Sequence, residues 1–383
     1  MTSNWAYLKI KDFCEFKYGK NLPADKRVDG RYPVYGSSSI ASYHESYLVE
    51  GPGIIIGRKG TVGKVQFSKG PFFPIDTTFY IDKSCTSQNL YFLYYFFQLC
   101  GFEDMNSDAA VPGLNRNAAV NLKVKLPPVS IQKKIAAILS AYDDLIENNL
   151  ERVKLLEEIA QITYEEWFVR MKFPGHEEVE IDSDTGLPEG WVKGRLDNLL
   201  ELQRGFDLPV QNREQGEVPI LASTGVIGFH SIYKVEGPGV VTGRSGTIGE
   251  VSFCRGDFWP LNTSLWVKKI HLGGAIFAYH FLSDFNLERL SGGSAVPSLD
   301  RKVVHSQIVN LPPKSLVNDF EHQMETIFEV RDNLSTQIEL LKEARDILLP
   351  RLMTGMIDID KLELSEALLE RINIQNNNET NIG

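Results

Sequence analysis

Two glycine-rich stretches contain the residue types of a phosphate-binding loop. GPGIIIGRKGTVGKV runs from Gly51 to Val65, and GPGVVTGRSGTIGEV runs from Gly237 to Val251. A nucleotide-binding loop of the G-x-x-x-x-G-K-[ST] type needs a hydroxyl after its lysine, but Val65 follows Lys64, and Glu250 replaces that lysine in the second stretch. Alternating apolar residues, typical of a strand, follow each stretch. The pattern therefore predicts a glycine-rich β-hairpin, used twice.

A second chemical pattern is Glu15-Phe16-Lys17, which matches the E-x-K of nuclease active sites. The residues 186 positions later are Glu201-Leu202-Gln203, without the lysine, so we interpret this position as part of a sheet. The chain has no N/D-P-P-Y/F motif, no S-adenosylmethionine glycine loop and no C-x-x-C spacing. We predict no catalytic residue and no metal site, and reduced, buried cysteines at Cys14, Cys85, Cys100 and Cys254.

The two glycine-rich stretches belong to an internal repeat that covers most of the chain. A shift of 186 residues aligns Trp5/Trp191, Gly19/Gly205, Pro33/Pro219, His44/His230, Pro74/Pro260 and Thr77/Thr263. A shift of 185 residues then aligns Ala110-Val111-Pro112/Ala295-Val296-Pro297, Leu114/Leu299 and Arg116/Arg301. We therefore predict a tandem duplication.

Each repeat ends with a Pro-Pro pair and then passes into a long amphipathic pattern. The first apolar stripe includes Ile131, Ile135, Ile138, Leu145 and Leu156, and the second includes Met324, Ile327, Leu334, Ile338 and Leu341. Steps of three and four over about 40 residues, on the order of 60 Å, predict an antiparallel coiled coil that holds the repeats apart. The alternative is two independent helices, each packed on its own domain.

These elements predict an α+β fold. Two tandem domains, each a curved and mostly antiparallel β-sheet with flanking helices, are separated by the two long helices. The predicted boundaries are 1–126 and 191–311 for the domains, 127–170 and 312–356 for the helices, 171–190 for an acidic surface linker, and 357–383 for a polar, partly disordered tail.

The net charge of −10 is unevenly distributed. Residues 1–125 carry 15 basic and 11 acidic side chains, a charge of +4, and residues 191–310 carry 12 and 11, a charge of +1. Because the acidic excess lies outside the repeats, the overall charge does not exclude DNA as a partner. The sequence has no apolar run long enough for a membrane span and no signal-peptide pattern, so we expect a cytoplasmic protein without membrane contact.

The chain resembles the specificity subunit of a type I DNA restriction–modification system. The resemblance rests on paired motifs in a fixed order and covers about residues 5–356: PVYGSSSI with PILASTGV, IIIGRKGTVGKV with VVTGRSGTIGEV, AAVPGLNR with SAVPSLDR, LPPVSIQKKIAAIL, WFVRMKFPG and LLPRLMTG. One departure is LVNDFEHQM, which lacks the Gln-x-x-Ile that follows the first Pro-Pro.

The resemblance implies a non-catalytic subunit that reads a bipartite site in double-stranded DNA, one half per domain. It also implies docking of two modification subunits, which methylate adenine from S-adenosylmethionine, and of restriction subunits, which use ATP and magnesium. This chain would then bind no cofactor itself. Two alternatives stay open: a scaffold that does not bind DNA, and a self-contained nuclease or methyltransferase.

Candidate DNA contacts lie on the repeated hairpin and on the turn before it. They are Ser37, Ser38, Arg58, Lys59, Thr61 and Lys64 in the first repeat, and Ser223, Thr224, Arg244, Ser245 and Thr247 in the second. Polar residues shared by both copies fit a phosphate contact or a structural bond equally well. Residues that differ, such as Lys59/Ser245, Lys64/Glu250 and Gln66/Ser252, could distinguish two half-sites, although neutral drift also explains them. Arg116/Arg301 and His44/His230 favour structural roles.

Overall fold

The computed structural model describes residues 5–105, 113–292 and 297–372. The chain forms two compact units. Unit 1 comprises Met1–Asn149 and Gln337–Gly383, and unit 2 comprises Leu150–Thr336. Each unit therefore contains one repeat together with parts of both long helices.

Unit 1 is built on three small sheets. Its strands are β1 Ala6–Lys9, β2 Lys17–Tyr18, β3 Tyr32–Tyr35, β4 Ile40–His44, β5 Gly53–Gly57, β6 Val65–Ser68, β7 Phe73–Pro74, β8 Thr78–Ile81 and β9 Lys123–Leu126. The strand orders are β2-β8-β5-β6, β4-β3-β7 and β1-β9, and only the β3–β7 pair among these strands is parallel. The helices are α1 Leu90–Phe97, α2 Arg116–Asn121 and α3 Val129–Tyr164, which continues into unit 2.

Unit 2 repeats this arrangement. Its strands are β10 Val192–Arg195, β11 Leu200–Arg204, β12 Val218–Ala222, β13 Gly225–His230, β14 Gly239–Gly243, β15 Val251–Cys254, β16 Trp259–Pro260, β17 Ser264–Ile270, β18 Ser291–Gly292, β19 Ser298–Leu299 and β20 Ile308–Leu311. The orders β11-β17-β14-β15, β13-β12-β16 and β10-β20 match those of unit 1, and β18 pairs with β19. The helices are α4 Ala275–Asp284, α5 Arg301–His305 and α6 Lys314–Met353. The predicted α+β fold and the duplication are confirmed.

The long helices pack antiparallel within each unit. In unit 1, the first part of α3 meets the last part of α6, where Arg345 Nη1 lies 2.6 Å from Asp143 Oδ1. In unit 2, the last part of α3 meets the first part of α6, where the Tyr164 and Phe320 ring centroids are 6.0 Å apart. Antiparallel packing is therefore confirmed, and the alternative of two independent helices is wrong. Among the described residues, no helix has the length and apolarity needed to cross a membrane.

Each core is completed by the end of a helix that comes from the other repeat. In unit 1, Leu349 and Leu352 of α6 join Ile135 and Leu139 of α3 in the main hydrophobic cluster. In unit 2, Trp167 and Phe168 follow α3 and pack into the cluster that also contains Phe277 of α4 and Phe320 of α6. Each repeat thus buries its apolar surface with help from a distant part of the chain, which explains why the stripes extend so far.

The predicted stripe agrees with the structure except at one position. Ile131, Ile135, Met324, Leu334 and Ile338 are buried, and Ile138, Leu156, Ile327 and Leu341 are half-buried. The prediction of Leu145 as a seam residue is wrong, because its side chain is 53% exposed and its neighbour Ile146 is buried instead. The seam shifts because α3 here faces α1 as well as α6: Asp143 accepts a hydrogen bond from Tyr95 at 2.5 Å and pairs with Arg345.

The predicted surface linker and tail both contribute to the cores. Phe173 and Leu187 are buried in unit 2, so the linker is not wholly a surface segment. In the tail, Ile359 is buried in the core of unit 1. Residues 366–372 are helical, and the Arg371 guanidinium pairs with Asp144. Residues 373–383 lie outside the described residues, so the predicted disorder there stays a prediction.

All four cysteines are free thiols, and the prediction that they are buried is correct for two of them. Cys14 and Cys85 are buried, whereas Cys100 and Cys254 are half-buried. Burial raises the pKa of Cys85 to about 11 and that of Cys100 to about 12. These thiols are therefore protonated and weakly nucleophilic at neutral pH.

Candidate nucleic-acid interface

The repeated glycine-rich stretches are β-hairpins, as predicted. Strands β5 and β6 pair antiparallel, with Ile54 opposite Phe67, and β14 and β15 pair in the same register. The connecting loop folds back on itself: the Gly63 amide donates to the Gly57 carbonyl at 2.8 Å, and the Gly57 amide donates to the Lys64 carbonyl at 2.9 Å. Because these amides are used inside the loop and a strand follows it, the loop cannot cradle a phosphate as a nucleotide-binding loop does.

Two glycines explain why the loop has this composition. Gly60 has φ of +80° and its counterpart Gly246 has φ of +86°, a conformation that costs other residues energy. At Gly57, a Cβ atom would lie 2.1 Å from the Thr61 carbonyl oxygen, and the same clash would occur at Gly243 with Thr247. The predicted role of these glycines in turn geometry is confirmed.

Three other segments meet the hairpin loop in unit 1, and their counterparts stand at the aligned positions of unit 2. The Leu114 amide donates to the Arg58 carbonyl at 2.8 Å, and the Leu299 amide donates to the Arg244 carbonyl at 2.9 Å. The turn at Ser37 lies beside the loop, since its hydroxyl oxygen is 3.2 Å from where a Cβ on Gly60 would be. Tyr18, at the end of β2, contacts the loop through Arg58, as described below. We call this assembly the loop cluster; it comprises residues 18, 37–39, 58–64 and 113–116 in unit 1, and residues 204, 223–225, 244–250 and 298–301 in unit 2.

The loop cluster of unit 1 combines cations with an exposed aromatic ring. The guanidinium carbons of Arg58 and Arg116 lie 5.2 and 5.6 Å from the Tyr18 ring centroid, within the range of cation–π contacts. Tyr18 is 51% exposed and packs edge-on against Phe79, with the centroids 5.0 Å apart. Lys59 and Lys64 are exposed on the loop. Their ammonium groups have no ion-pair partner among the residues that the structure describes.

In unit 2, the corresponding residues make the loop cluster richer in arginine. Arg204 replaces Tyr18 at the strand end, while Arg244 and Arg301 correspond to Arg58 and Arg116. Arg244 Nη1 donates to the Asn262 carbonyl at 3.4 Å. Within 5–105, 113–292 and 297–372, no carboxylate forms an ion pair with any of these three guanidiniums. In this unit Glu250 takes the place of Lys64 and Ser245 that of Lys59, so the loop has no net charge, whereas the loop of unit 1 carries three positive charges.

The structure brings all the predicted DNA-contact residues into the two loop clusters. Exposed members are Ser38, Lys59, Thr61, Lys64, Thr224 and Thr247, and half-buried members are Ser37, Arg58, Arg244 and Ser245. Ser223 is buried, so its accessible surface is small. Gln66 aligns with Ser252, and this difference suggested that the position distinguishes the half-sites. In the structure, Gln66 Nε2 donates to the Gly36 carbonyl at 2.9 Å. Its amide therefore supports the turn.

The structural roles predicted for Arg116 and for the pair His44/His230 agree with the hydrogen bonds, and the role of Arg301 stays a prediction. Arg116 donates from Nε to the Phe16 carbonyl at 2.9 Å and lies 3.9 Å from Glu15. His44 and His230 are buried and accept backbone amide hydrogen bonds at Nδ1, each at 3.0 Å. Of the shared Ala-Val-Pro, residues 110–112 and 295–296 lie outside the described residues.

Tyr18 and Arg204 were not among the residues predicted to contact DNA. Both end a strand and precede a shared glycine, Gly19 and Gly205, whose backbone approaches the carbonyl oxygens of Ile75 and Leu261 so closely that a Cβ would lie 2.1 Å away. The sequence does contain one signal for this position: the residue directly before the aligned glycine differs in charge and shape between the two repeats. It was not recognisable as surface-exposed without the sheet order.

This chain is similar to known proteins along most of its length. A family model described as "Type I restriction modification DNA specificity domain" matches residues 2–161 and 188–347. The MjaIX specificity subunit of Methanocaldococcus jannaschii is 23% identical over 417 residues, covering 94% of this chain and 95% of the relative. A putative type I specificity subunit of Mycoplasma pneumoniae is 21% identical over 263 residues, covering 66% and 70%.

A solved structure has the same fold. The crystal structure of the type I restriction–modification S subunit from M. genitalium superposes with a TM-score of 0.66 at 16% identity, covering 91% of this chain and 96% of that chain. This chain therefore belongs to the family of type I restriction–modification DNA specificity subunits. The predicted family and function are confirmed over the alternative of a scaffold that does not bind DNA.

Proposed function

We propose that each unit reads one half of a two-part site in double-stranded DNA through its loop cluster, and that the helices joining the units set the spacing of the halves. The observation that carries this proposal is the recurrence of the same four segments at equivalent positions in both units. A protein that reads a DNA site in two halves needs two surfaces with the same backbone arrangement and different side chains, and the two loop clusters have this property.

The loop clusters divide their contacts between phosphates and bases. Arg58/Arg244 and Thr61/Thr247 are shared by both units, so they are assigned to phosphates, which every DNA sequence presents in the same way. Lys59/Ser245 and Lys64/Glu250 differ, so they are assigned to the contacts that distinguish the two half-sites, which the two lysines make through phosphates as well as through base edges or groove shape. The excess of basic over acidic residues in each repeat, +4 and +1, gives the surface charge that phosphate binding needs.

The outward faces of the long helices are proposed as docking surfaces for two modification subunits. In unit 2, Leu155, Ile159 and Ile162 of α3 are 49–57% exposed, and their spacing puts them on one face of the helix. In unit 1, Leu340 and Ile347 of α6 are 59% and 44% exposed and lie seven residues apart, also on one face. Exposed apolar rows of this kind on a soluble surface mark protein contacts.

The same proposal assigns all chemistry to partner subunits. The modification subunits would bind S-adenosylmethionine and methylate adenine, and restriction subunits would bind ATP and magnesium. This chain would supply DNA recognition and assembly only, without a bound cofactor, and would act in the cytoplasm. Two observations support this division. The hairpin loops do not have the geometry of a nucleotide-binding loop. Lys17, the lysine of the E-x-K pattern, donates to the Ser84 hydroxyl at 2.6 Å within the fold.

The experiment changes the charge of one loop cluster in the assembled complex with modification subunits. Lys59→Ser with Lys64→Glu gives the first hairpin the charges of the second. The matched control, Lys11→Ser with Lys123→Glu, makes the same charge change at exposed positions away from the cluster. We expect weaker DNA binding and a salt dependence shallower by about one unit per lost phosphate contact for the first variant only. Equal salt slopes for both variants would move the DNA surface elsewhere.

A further inference from the structure

The end of the first strand in each four-stranded sheet holds a different residue in an otherwise identical backbone. Tyr18 ends β2 and pairs with Phe79, and Arg204 ends β11 and pairs with Leu265, which is the equivalent partner. The Arg58 amide donates to the Thr77 carbonyl at 2.8 Å, and the Arg244 amide donates to the Thr263 carbonyl at 2.9 Å, so the hairpin loop joins the sheet in the same way in both units. Arg204 therefore occupies the place of Tyr18.

Two shared arginines belong to the same loop cluster as this position. In unit 1, the guanidinium carbons of Arg58 and Arg116 lie 5.2 and 5.6 Å from the Tyr18 ring centroid. In unit 2, the residues at the aligned positions are Arg244 and Arg301. The variable side chain is exposed to solvent in both units.

The Arg204 guanidinium in unit 2 is a candidate binding group for a ligand. Arg204 is exposed, and among the described residues its guanidinium has no hydrogen-bond or ion-pair partner. Arg244 and Arg301 belong to the same cluster, and among the described residues none of the three guanidiniums forms an ion pair with the cluster's carboxylates, Glu250 and Asp300, so the exposed Arg204 guanidinium is available to an electron-rich ligand. A guanidinium is a planar fork of donors that binds the N7 and O6 acceptors of guanine in two parallel hydrogen bonds. A tyrosine has one hydroxyl and a flat apolar ring, and cannot make that pair.

We propose that residue 18/204 is a base-specificity determinant, with Arg204 reading a guanine in the half-site of unit 2 and Tyr18 contacting a base edge in the half-site of unit 1. This inference rests on the proposed DNA interface at the loop clusters. The shared Arg58 and Arg244 hold the phosphate backbone, and the variable residue of the same cluster reaches the bases. The two half-sites therefore differ at the base pair that faces this position.

The test exchanges the two residues one at a time in the complex assembled with modification subunits. Arg204→Tyr and Tyr18→Arg each introduce the residue of the other unit. Recognised sites are mapped by long-read sequencing of methylated DNA, and affinities are measured with duplexes that differ at single base pairs. For Arg204→Tyr, we expect the preference for guanine at one position of one half-site to fall by about 5- to 150-fold, with the other half-site unchanged. For Tyr18→Arg, we expect guanine to become favoured at one position of the other half-site.

Two additional variants keep the result interpretable. Arg204→Lys preserves the charge without the planar fork, and we expect it to keep phosphate affinity while losing most of the guanine preference. Arg244→Ala tests the loop cluster itself, and we expect weaker binding to all sequences. Unchanged folding is checked by thermal unfolding of each variant.

The outcomes separate this inference from the proposed function. If Arg244→Ala weakens binding and Arg204→Tyr leaves the recognised sequence unaltered, the interface stands and the base-reading role is overturned. A uniform loss of affinity for every sequence in Arg204→Tyr also overturns it, because that result identifies a phosphate contact. If neither Arg244→Ala nor Arg204→Tyr changes binding, the proposed interface fails as well.

Discussion

Arg255 Nε lies 2.7 Å from Asp332 Oδ2, and this ion pair attaches the sheet of unit 2 to α6. The equivalent residues of unit 1 do the same: Lys69 Nζ lies 2.5 Å from Glu147 Oε2 on α3. Arginine replaces lysine and aspartate replaces glutamate, but the charges and partners are retained. Each recognition sheet is therefore fixed to the long helix that follows it by a bond at the far end of its hairpin.

We expect these ion pairs to couple the sheets to the helices. Lys69→Glu and Glu147→Lys should each lower the free energy of unfolding, and the double reversal should recover part of the loss. Because both side chains are largely exposed, the coupling energy should be about 0.2–1 kcal/mol at low salt and should shrink as salt is added. Urea unfolding of the four proteins measures the coupling. The exchange Lys154→Glu with Glu158→Lys, within one helix, is the control. Strictly additive effects for the 69–147 pair would rule out the coupling.

The corrected helix seam gives a second prediction. Ile338→Ala should lower the free energy of unfolding by about 2–4 kcal/mol, because it opens a cavity at a position that is 4% exposed. Leu145→Ala, in the same unit, should change it by about 0.5 kcal/mol or less, since that side chain faces solvent. Urea unfolding at neutral pH compares the two. Similar decreases in the free energy of unfolding for both variants would show that Leu145 packs in the seam.

The outward helix face gives a third prediction, on assembly. Leu155→Lys with Ile159→Lys should leave the free energy of unfolding within about 1 kcal/mol, because both side chains are exposed in unit 2. Affinity for modification subunits should fall at least tenfold, since two charges would be buried in an apolar contact. Titration of the subunits, followed by sedimentation, measures this. The exposed position Glu151, changed to lysine on the same helix, serves as the control. Equal affinity of both variants would place the docking surface elsewhere.

A buried histidine makes the stability of unit 2 depend on pH. Burial, together with the positive charge of Arg331, lowers the pKa of His280 to about 4. The unfolded chain takes up a proton near pH 6.5 while the folded chain does not, so the free energy of unfolding falls as the pH drops from about 6.5 towards 4. His280→Tyr places the equivalent residue of unit 1, Tyr95, at this position. Between pH 7 and pH 5 the wild type should lose about 1–2 kcal/mol more than the variant, as measured by urea unfolding. Parallel losses in the two proteins would contradict the assignment.

The sequence predicted the elements well because its signals are periodic and duplicated. The aligned glycines and alternating strands predicted the hairpins, and the two apolar stripes predicted the long helices. Leu145 was misplaced because a heptad pattern assumes one partner, whereas α3 faces both α1 and α6, and Asp143 occupies the shared face.

The roles of individual polar residues depended on contacts that a sequence does not contain. Gln132, from the Gln-x-x-Ile that only the first helix has, is fully buried and accepts the Asn89 amide at 3.1 Å. In unit 2 the amides of Ile276 and Phe277 at the start of α4 instead donate to Glu321, at 3.0 and 2.8 Å. The first turn of the short helix is therefore bonded by Gln132 in unit 1 and by Glu321 in unit 2, at positions that do not align. The sequence shows that the second helix lacks the glutamine, but it does not show that Glu321 replaces its hydrogen bond.

The central claim is that each unit reads its own half of the DNA site, and an exchange of one domain tests it most directly. The exchanged segment should run from Ala6 to Leu126, so that the β1–β9 pair is kept intact, and it should come from a relative with a different recognised sequence. The chimera is assembled with modification subunits, its folding is verified by thermal unfolding, and methylated sites are mapped by long-read sequencing. We predict that one half of the recognised sequence changes, while the other half and the length of the gap between them stay the same. Changes in both halves, or in neither, in an assembled and active complex would contradict the claim.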